Sequence, residues 1–293
     1  MLKNGFYTAL GTPLTEEGRV IEKTLTDHIK QQIEIGASGL LLMGSMGKEA
    51  YIMNSEYGKV VEIATRTVDG RVPLYVGAMD NSIARIMEKI NMIGPGKKID
   101  GIVLTVPFYA IPKDTDVIYF YNSVADRSPY PIYLYDLPGV TQYRISMKII
   151  DAIINHPNVK GLKSANWELI KAIGIKYPDV DFQCLYSGLD SFDHVSLLGI
   201  NKHLDGMFSC TPKNGKAMYE CLNRGDLKGA RVHLDNILLL RDTMIANNLN
   251  RCFTITMNLL GFEGNFHADS SAPVADSVKD IIAGVMRKIG EID

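Results

Sequence analysis

No stretch of this sequence approaches the roughly 18 apolar residues that a membrane-spanning helix requires. The densest run, Leu40-Leu41-Leu42-Met43, has only the length of a strand. Neither sign of charge prevails: 31 Lys and Arg stand against 33 Asp and Glu, a formal net charge of -2. There is thus no bulk basic field to hold nucleic acid or an anionic membrane. Trp167, the single tryptophan, and the tyrosines do not interleave with a basic stripe. Cysteine is scarce, and Cys184, Cys210, Cys221 and Cys252 form no Cys-x-x-Cys pair. That pattern reads as reduced thiols, not a disulfide framework. The six histidines show no His-x-His or His-Glu-x-x-His spacing, so no metal site is expected. The N-terminus leads into patterned sequence without a secretory apolar segment, and the expected location is the cytoplasm. There is no solenoid-period repeat and no low-complexity linker.

What is present is a globular composition. The chain has 293 residues, 46% of them hydrophobic and 22% charged, which excludes a disordered chain. Short apolar runs recur at 6–10, 39–43, 73–77, 101–105, 131–135, 159–163, 182–186 and 206–209. Most successive starts are about 20 to 35 residues apart, room for one strand, one helix and two short loops. The stretches between carry helical periodicity. In 21–35, Leu25, Ile29, Ile33 and Ile35 recur among charged residues, and in 82–93 so do Ile83, Ile86, Met87, Ile90 and Ile93. The strand runs are nearly continuous in apolar residues, as in Ile102-Val103-Leu104, and strands buried on both faces read that way.

Eight such units predict an α/β fold, a (β/α)8 TIM barrel with a C-terminal helical extension. The alternative is an open doubly wound sheet, which carries a Gly-rich fingerprint after its first strand. Gly11-Thr12-Pro13-Leu14 is no such fingerprint. The barrel is expected over residues 1–225 and the helical segment over 226–293. Helical stretches are expected at 216–222, 227–244 and 277–289, with a Gly-, Ser- and Pro-containing loop at 261–273 between the last two.

A barrel of this kind builds its active site from the C-terminal ends of its strands. Lys163 closes the sixth run. A lysine there either points over the mouth, where its neutral amine can attack a carbonyl to form a Schiff base, or snorkels to solvent. Tyr135 closes the fifth run, and its phenol either relays protons or only packs. Tyr109 follows the fourth run with the same two options. Ser45 follows the second. Together they supply nucleophile, proton relay and orienting groups. The turn Gly44-Ser45-Met46-Gly47 offers N–H groups and a hydroxyl that can hold a carboxylate. It is not a phosphate loop: Leu42 stands where the first Gly is needed and Glu49 where Ser or Thr is required.

Five motifs in order carry a resemblance: Ala9-Leu10-Gly11-Thr12-Pro13-Leu14, Gly44-Ser45-Met46-Gly47, Pro107-Phe108-Tyr109, Tyr135-Asp136-Leu137-Pro138-Gly139 and Gly161-Leu162-Lys163. Almost end to end, the sequence resembles the dihydrodipicolinate synthase/N-acetylneuraminate lyase family of pyruvate-dependent class I aldolases. The resemblance implies that Lys163 forms the Schiff base with pyruvate or another 2-oxo acid and that Tyr135 is the acid/base over the adduct. It places Ser45 at the family hydroxyl linked to the tyrosine relay, and the Ser45 and Met46 N–H groups on the substrate carboxylate. Tyr109 matches the relay tyrosine that reaches in from a neighbouring subunit in tetrameric members. Gly188 and the carbonyl of Phe208 fall where the family lines the pyruvate pocket. The resemblance further implies a homotetramer built as a dimer of dimers, and no cofactor beyond the covalent imine.

The departures bear on the acceptor. Met46 replaces a hydroxyl residue. Lys48 stands at the usual Glu and is expected to face solvent. Asp136 replaces the family Asn. Val140 occupies the place of the arginine that, in lysine-pathway synthases, grips a substrate carboxylate. Of the sialic acid lyase contacts, Asp190 remains, while Ser191 and Ala165 replace Glu and Thr. With Val140, Leu189, Asp190 and Ala165 around it, the expected acceptor is a hydroxylated or partly apolar aldehyde. The expected function is a Schiff-base lyase or aldolase acting on a 2-oxo acid and an aldehyde. The alternatives are a dihydrodipicolinate synthase-type condensing enzyme, a sugar-acid dehydratase using the same imine, or a catalytically silent 2-oxo-acid binding protein.

Overall fold

The computed structural model describes residues 2–94 and 96–293. Eight parallel strands close into a barrel in sequence order: β1 (Gly5–Ala9), β2 (Gly39–Leu42), β3 (Leu74–Gly77), β4 (Gly101–Thr105), β5 (Ile132–Asp136), β6 (Val159–Ser164), β7 (Gln183–Tyr186) and β8 (Lys202–Asp205). Pairing of β8 with β1 removes both sheet edges. The helices within the barrel repeat are α1 (Glu22–Glu34), α2 (Asn54–Val68), α3 (Ile83–Ile93), α4 (Asp114–Arg127), α5 (Pro138–Thr141), α6 (Met147–Ile153), α7 (Trp167–Lys176), α8 (Phe192–Ser196) and α9 (Pro212–Asn223). Three more follow: α10 (Leu227–Ala246), α11 (Leu249–Leu259) and α12 (Asp276–Lys288).

The barrel interior is filled, not open. Tyr7, Tyr75 and Tyr133 point inward with Leu41, Val103, Leu185 and Leu204. Glycines make room for the rings: a Cβ on Gly39 would stand 2.6 Å from the Tyr7 ring, and one on Gly161 2.4 Å from the Tyr133 ring. Tyr75 meets Tyr133 edge-on at 4.9 Å between centroids, a favoured aromatic geometry. Between strands and helices lies the larger core, to which α1 gives Leu25 and Ile29 and α3 gives Ile86, Ile90 and Ile93. Each such side chain contributes about 1.5–3 kcal/mol on full burial. The interior layers thus hold the strands rigid beneath the mouth, where the chemistry-bearing side chains stand.

Two expectations need correction. The eighth strand is Lys202–Asp205, not 206–209; Met207–Ser209 is a 3₁₀ turn after it. The true strand was hidden because its outward residue is polar. His203 is fully buried, its ring stacked on Phe192 at 4.5 Å, with Nε2 on the Ile200 carbonyl at 2.8 Å and Nδ1 on the Tyr219 hydroxyl at 2.6 Å. The second correction is α11, a helix the sequence reading does not contain. Its Thr, Ile, Cys and Asn content is weak in helix propensity. Burial of Cys252, Phe253, Thr256 and Met257 on one face, with the Asn248 side chain accepting the Arg251 N–H, compensates.

The C-terminal helices return to the barrel. The Glu291 carboxylate accepts the N–H groups of Lys213 and Asn214 at 3.2 and 2.9 Å, satisfying free donors at the start of α9. The long α10 packs on α9, α8 and the turn Leu189–Ser191. That contact brings α10 to the rim of the mouth.

Candidate active site

Strand register sets the centre of the mouth. Thr105, Tyr135, Lys163 and Leu185 are paired neighbours on β4 to β7, so they share one level. Lys163 is 4% exposed. Its Nζ lies 3.9 Å from the centroid of the Tyr135 ring, a cation–π distance. Among the described residues no ion pair engages that amine. The Tyr135 hydroxyl is 3.1 Å from Ser45 Oγ, with either atom able to donate. Of the expected machinery, one chain therefore brings Lys163, Tyr135 and Ser45 together. Tyr109 is not with them. It is 92% exposed, and its backbone N–H donates to Asn81 Oδ1 at 2.7 Å.

Asp136 explains how the pair is held. Its Oδ2 accepts the Ser164 hydroxyl at 2.7 Å, and its Oδ1 accepts the Ile145 N–H at 3.0 Å. Asp136 and Ser164 each follow a mouth residue by one position, Tyr135 and Lys163. A buried cross-strand bond therefore locks the ends of β5 and β6. At the same level as Tyr135, Thr105 carries a buried hydroxyl with no hydrogen-bond partner among the described residues.

The turn after β2 is braced on several sides. Thr12 Oγ1 donates to the Gly47 carbonyl at 2.8 Å. Met46 packs across the mouth on the turn after β8; a Cβ on Gly206 would stand 2.8 Å from Met46 Cβ. Lys48 has a left-handed backbone (φ 58°). It does not face solvent, contrary to expectation. Its Nζ donates to Asn250 Oδ1 on α11, and burial holds the ammonium below the usual lysine range. The physical reason is α11 itself: without that helix in the reading, Lys48 had nothing to meet.

The remaining expected residues form the rim. Val140 is 55% exposed on the short helix α5, and Ala165 is exposed just past β6. Gly188 approaches the Tyr186 hydroxyl so closely that a Cβ would stand 2.2 Å from it. That hydroxyl is hydrogen-bonded to Ser191 Oγ at 2.8 Å. Phe208 lies in the turn after β8 with its ring wholly buried against Phe6 and Phe192. Asp190 Oδ1 accepts from Arg241 Nη2 at 2.8 Å, and this bond holds the Asp190 carboxyl below the usual range against the opposing effect of burial.

Arg241 and Asp205 are rim residues that sequence reading missed. Arg241 belongs to α10, outside every strand-end motif. Its own face of the helix carried the only signal, a cation one turn after the buried Ile237. Asp205 ends the misplaced β8. Burial pushes its carboxyl up, while the Met207 N–H at 2.7 Å and the positive charges of Lys163 and Arg241 act the other way. Among the described residues no group of three His, Cys, Asp or Glu is arranged to hold a metal, and no helix is long and apolar enough to cross a membrane.

The chain is similar to known proteins along nearly its whole length. It is 28% identical over 293 residues to the 4-hydroxy-tetrahydrodipicolinate synthase of Acidiphilium cryptum, covering 98% of both chains. In fold it matches YagE, a prophage protein from E. coli K12 crystallised with pyruvate, at a TM-score of 0.87 and 19% identity, covering 99% of each chain. It also matches CdNal from Clostridium difficile, crystallised with mannosamine, at a TM-score of 0.87 and 18% identity, covering 98% of this chain and 99% of that one. The model of the dihydrodipicolinate synthetase family matches residues 2–288, and the chain belongs to that family.

Proposed function

We propose that the chain is a Schiff-base lyase or aldolase that breaks or forms a carbon–carbon bond between pyruvate, or another 2-oxo acid, and an aldehyde. The observation that carries this reading is the buried Lys163 amine facing Tyr135, whose hydroxyl meets Ser45. The neutral amine attacks the C2 carbonyl to give a carbinolamine. Tyr135 delivers a proton to the departing hydroxyl, and water leaves as the iminium forms. In the cleavage direction the Tyr135 phenolate, left after that proton transfer, takes the proton of the substrate's C4 hydroxyl, and the C3–C4 bond breaks to release the aldehyde. The electron pair enters the iminium to give an enamine, which is protonated at C3 and hydrolysed to pyruvate and free Lys163. Condensation is the reverse. The imine is the electron sink, so this reading needs no metal or organic cofactor.

The Ser45 and Met46 N–H groups and the Phe208 carbonyl are assigned to the pyruvate end, with Gly188 beside them. The acceptor end is assigned to Val140, Ala165 and Asp190. The curated relatives are named for a condensing activity, which favours a synthase as the second reading. The uncharged Val140 speaks against an acceptor gripped by its carboxylate. A screen of 2-oxo-3-deoxy sugar acids separates the outcomes: pyruvate release marks a lyase, water loss without pyruvate a dehydratase.

The 92% exposure of Tyr109 supports a homotetramer in which this residue completes a neighbouring site. Sedimentation of the native chain as a monomer would remove that part of the reading. The free thiols support a place in the reducing cytoplasm.

The deciding experiment is borohydride reduction in the presence of pyruvate, followed by peptide mapping. The expected result is one pyruvate-derived adduct on the Lys163 peptide, lost in Lys163→Ala. Turnover retained by a folded Lys163→Ala protein overturns the mechanism. An adduct without exchange of the pyruvate methyl protons points instead to a silent binding protein.

A further inference from the structure

Behind the turn that carries Ser45 and Met46 lies a buried ion cluster that the proposed chemistry does not use. Lys89, on α3, is a helix residue whose ammonium reaches up to the mouth. It donates to Glu49 Oε1 at 2.6 Å and to the Met79 carbonyl at 2.8 Å, and forms an ion pair with Asp80 Oδ2 at 2.9 Å. The side chains of Lys89, Glu49 and Asp80 are 8%, 0% and 7% exposed. Arg85, one turn earlier on the same helix face, donates to Asp80 Oδ1 at 2.6 Å.

The two carboxylates come from different strand-end loops. Glu49 directly follows the Gly44–Lys48 turn, and its N–H donates to the Gly44 carbonyl at 3.5 Å. Asp80 follows β3, and its Oδ1 also accepts the Asn81 N–H at 2.7 Å. Asn81 Oδ1 in turn accepts the N–H groups of Phe108 and Tyr109, at 2.8 and 2.7 Å. A continuous polar path therefore runs from the turn after β2, through Lys89, to the loop after β4. Burying charges costs free energy that an apolar filler would not, so their presence here needs a reason other than stability alone.

We propose that Lys89 is a positioning residue: it fixes, from the helix layer, both the substrate-carboxylate turn and the Tyr109 loop. The turn serves the chain's own site, while Tyr109 points away from it, so one lysine side chain sets the geometry of two different pieces of machinery. The proposal rests on the Schiff-base reading for what those loops do, but not for their being held. Glu49 faces Lys89, Asp80 and Arg85 among charged groups, and Tyr57 from α2.

The test is Lys89→Met in the full chain, with Lys59→Met as control, since Lys59 is itself exposed and pairs with Glu56 away from this cluster. Two readouts are taken: half-saturating pyruvate in borohydride trapping, and amide hydrogen exchange in peptides spanning 44–50 and 106–110. In Lys89→Met the half-saturating concentration should rise about tenfold and exchange in both peptides should quicken by about tenfold. The adduct formed at saturating pyruvate should be undiminished, and the control should change neither readout. If Lys89→Met does not fold, Glu49→Gln carries the same test, with exchange in both peptides quickened. A folded variant with a lower Tm but unchanged half-saturation and unchanged exchange at 106–110 overturns the proposal and leaves the cluster a packing feature. Absence of any wild-type adduct refutes the Schiff-base reading instead, and exchange alone then decides whether Lys89 holds the two loops.

Discussion

The Ser45 hydroxyl and the Tyr135 phenol meet at 3.1 Å across the barrel mouth, from loop and strand ends 90 residues apart in the chain. This contact joins the turn proposed to bind the substrate carboxylate to the tyrosine proposed to move protons. In Tyr135→Phe the amine of Lys163 keeps its aromatic face and loses its relay. Exchange of the pyruvate methyl protons should fall by about 10²–10⁴-fold, read by NMR, while the adduct remains trappable on long incubation. Ser45→Ala should cost less, and the double variant should lose less than the two single losses combined, because both act through one contact. Fully additive losses would show that Ser45 and Tyr135 work independently.

Much of the site is legible in the sequence, and the limits have physical causes. Lys163 and Tyr135 are found because each ends an apolar strand, so their level around the barrel follows from strand position alone. The locking bond from Ser164 to Asp136 is not legible, because it depends on the register between two strands. β8 is displaced because a buried histidine paired to Tyr219 reads as a surface residue. Arg241 and Asn250 escape for another reason: they come from the C-terminal helices, whose approach to the mouth no local pattern encodes. The Lys89 cluster reads in sequence as ordinary charges on an amphipathic helix, and only the fold shows that one of them is turned inward.

Val140 leaves the acceptor side without a fixed cation at its place on α5. It is 55% exposed, so a longer side chain fits there without repacking the core. Val140→Arg should improve kcat/KM for a carboxylate-bearing aldehyde by about 10- to 100-fold, the range of one charge-assisted hydrogen bond. Uncharged hydroxyaldehydes should gain nothing. Equal gains for both acceptor types would place the acceptor elsewhere than beside α5.

Asp190 is useful to an acceptor hydroxyl only if its carboxylate is held still, and Arg241 holds it at 2.8 Å. Arg241→Met removes that hold and leaves the pyruvate end untouched. The expected result is a several-fold higher KM for a hydroxylated acceptor, with half-saturating pyruvate in borohydride trapping unchanged. Because the Asp190 side chain is 70% exposed, the stability change should be small, about 0–1 kcal/mol. A parallel loss of pyruvate binding would show that the Arg241 contact shapes the whole mouth, not the acceptor side alone.

Glu49 gives the chain a pH-dependent stability whose sign is fixed by its surroundings. Burial, with Oε2 lacking a partner, pushes its carboxyl up from the ordinary 4.5 to about 7, although Lys89 pulls the other way. The folded state therefore holds this proton more tightly than the unfolded chain does. Its stabilising effect is complete below about pH 4.5 and is lost as the pH rises through about 7. Asp80 has the opposite sign, since the Arg85 and Lys89 hydrogen bonds and the Asn81 N–H bring it down to about 2 despite burial. Its window lies below pH 4 and does not overlap. Glu49→Gln removes the first effect and leaves the second. Comparing Tm at pH 5 and pH 7.5, the wild type should lose stability relative to Glu49→Gln on going to the higher pH, by on the order of 1–3 kcal/mol. No loss relative to Glu49→Gln over this range would mean that Lys89 keeps Glu49 ionised throughout, and that the ion pair outweighs the cost of burying its unpartnered oxygen.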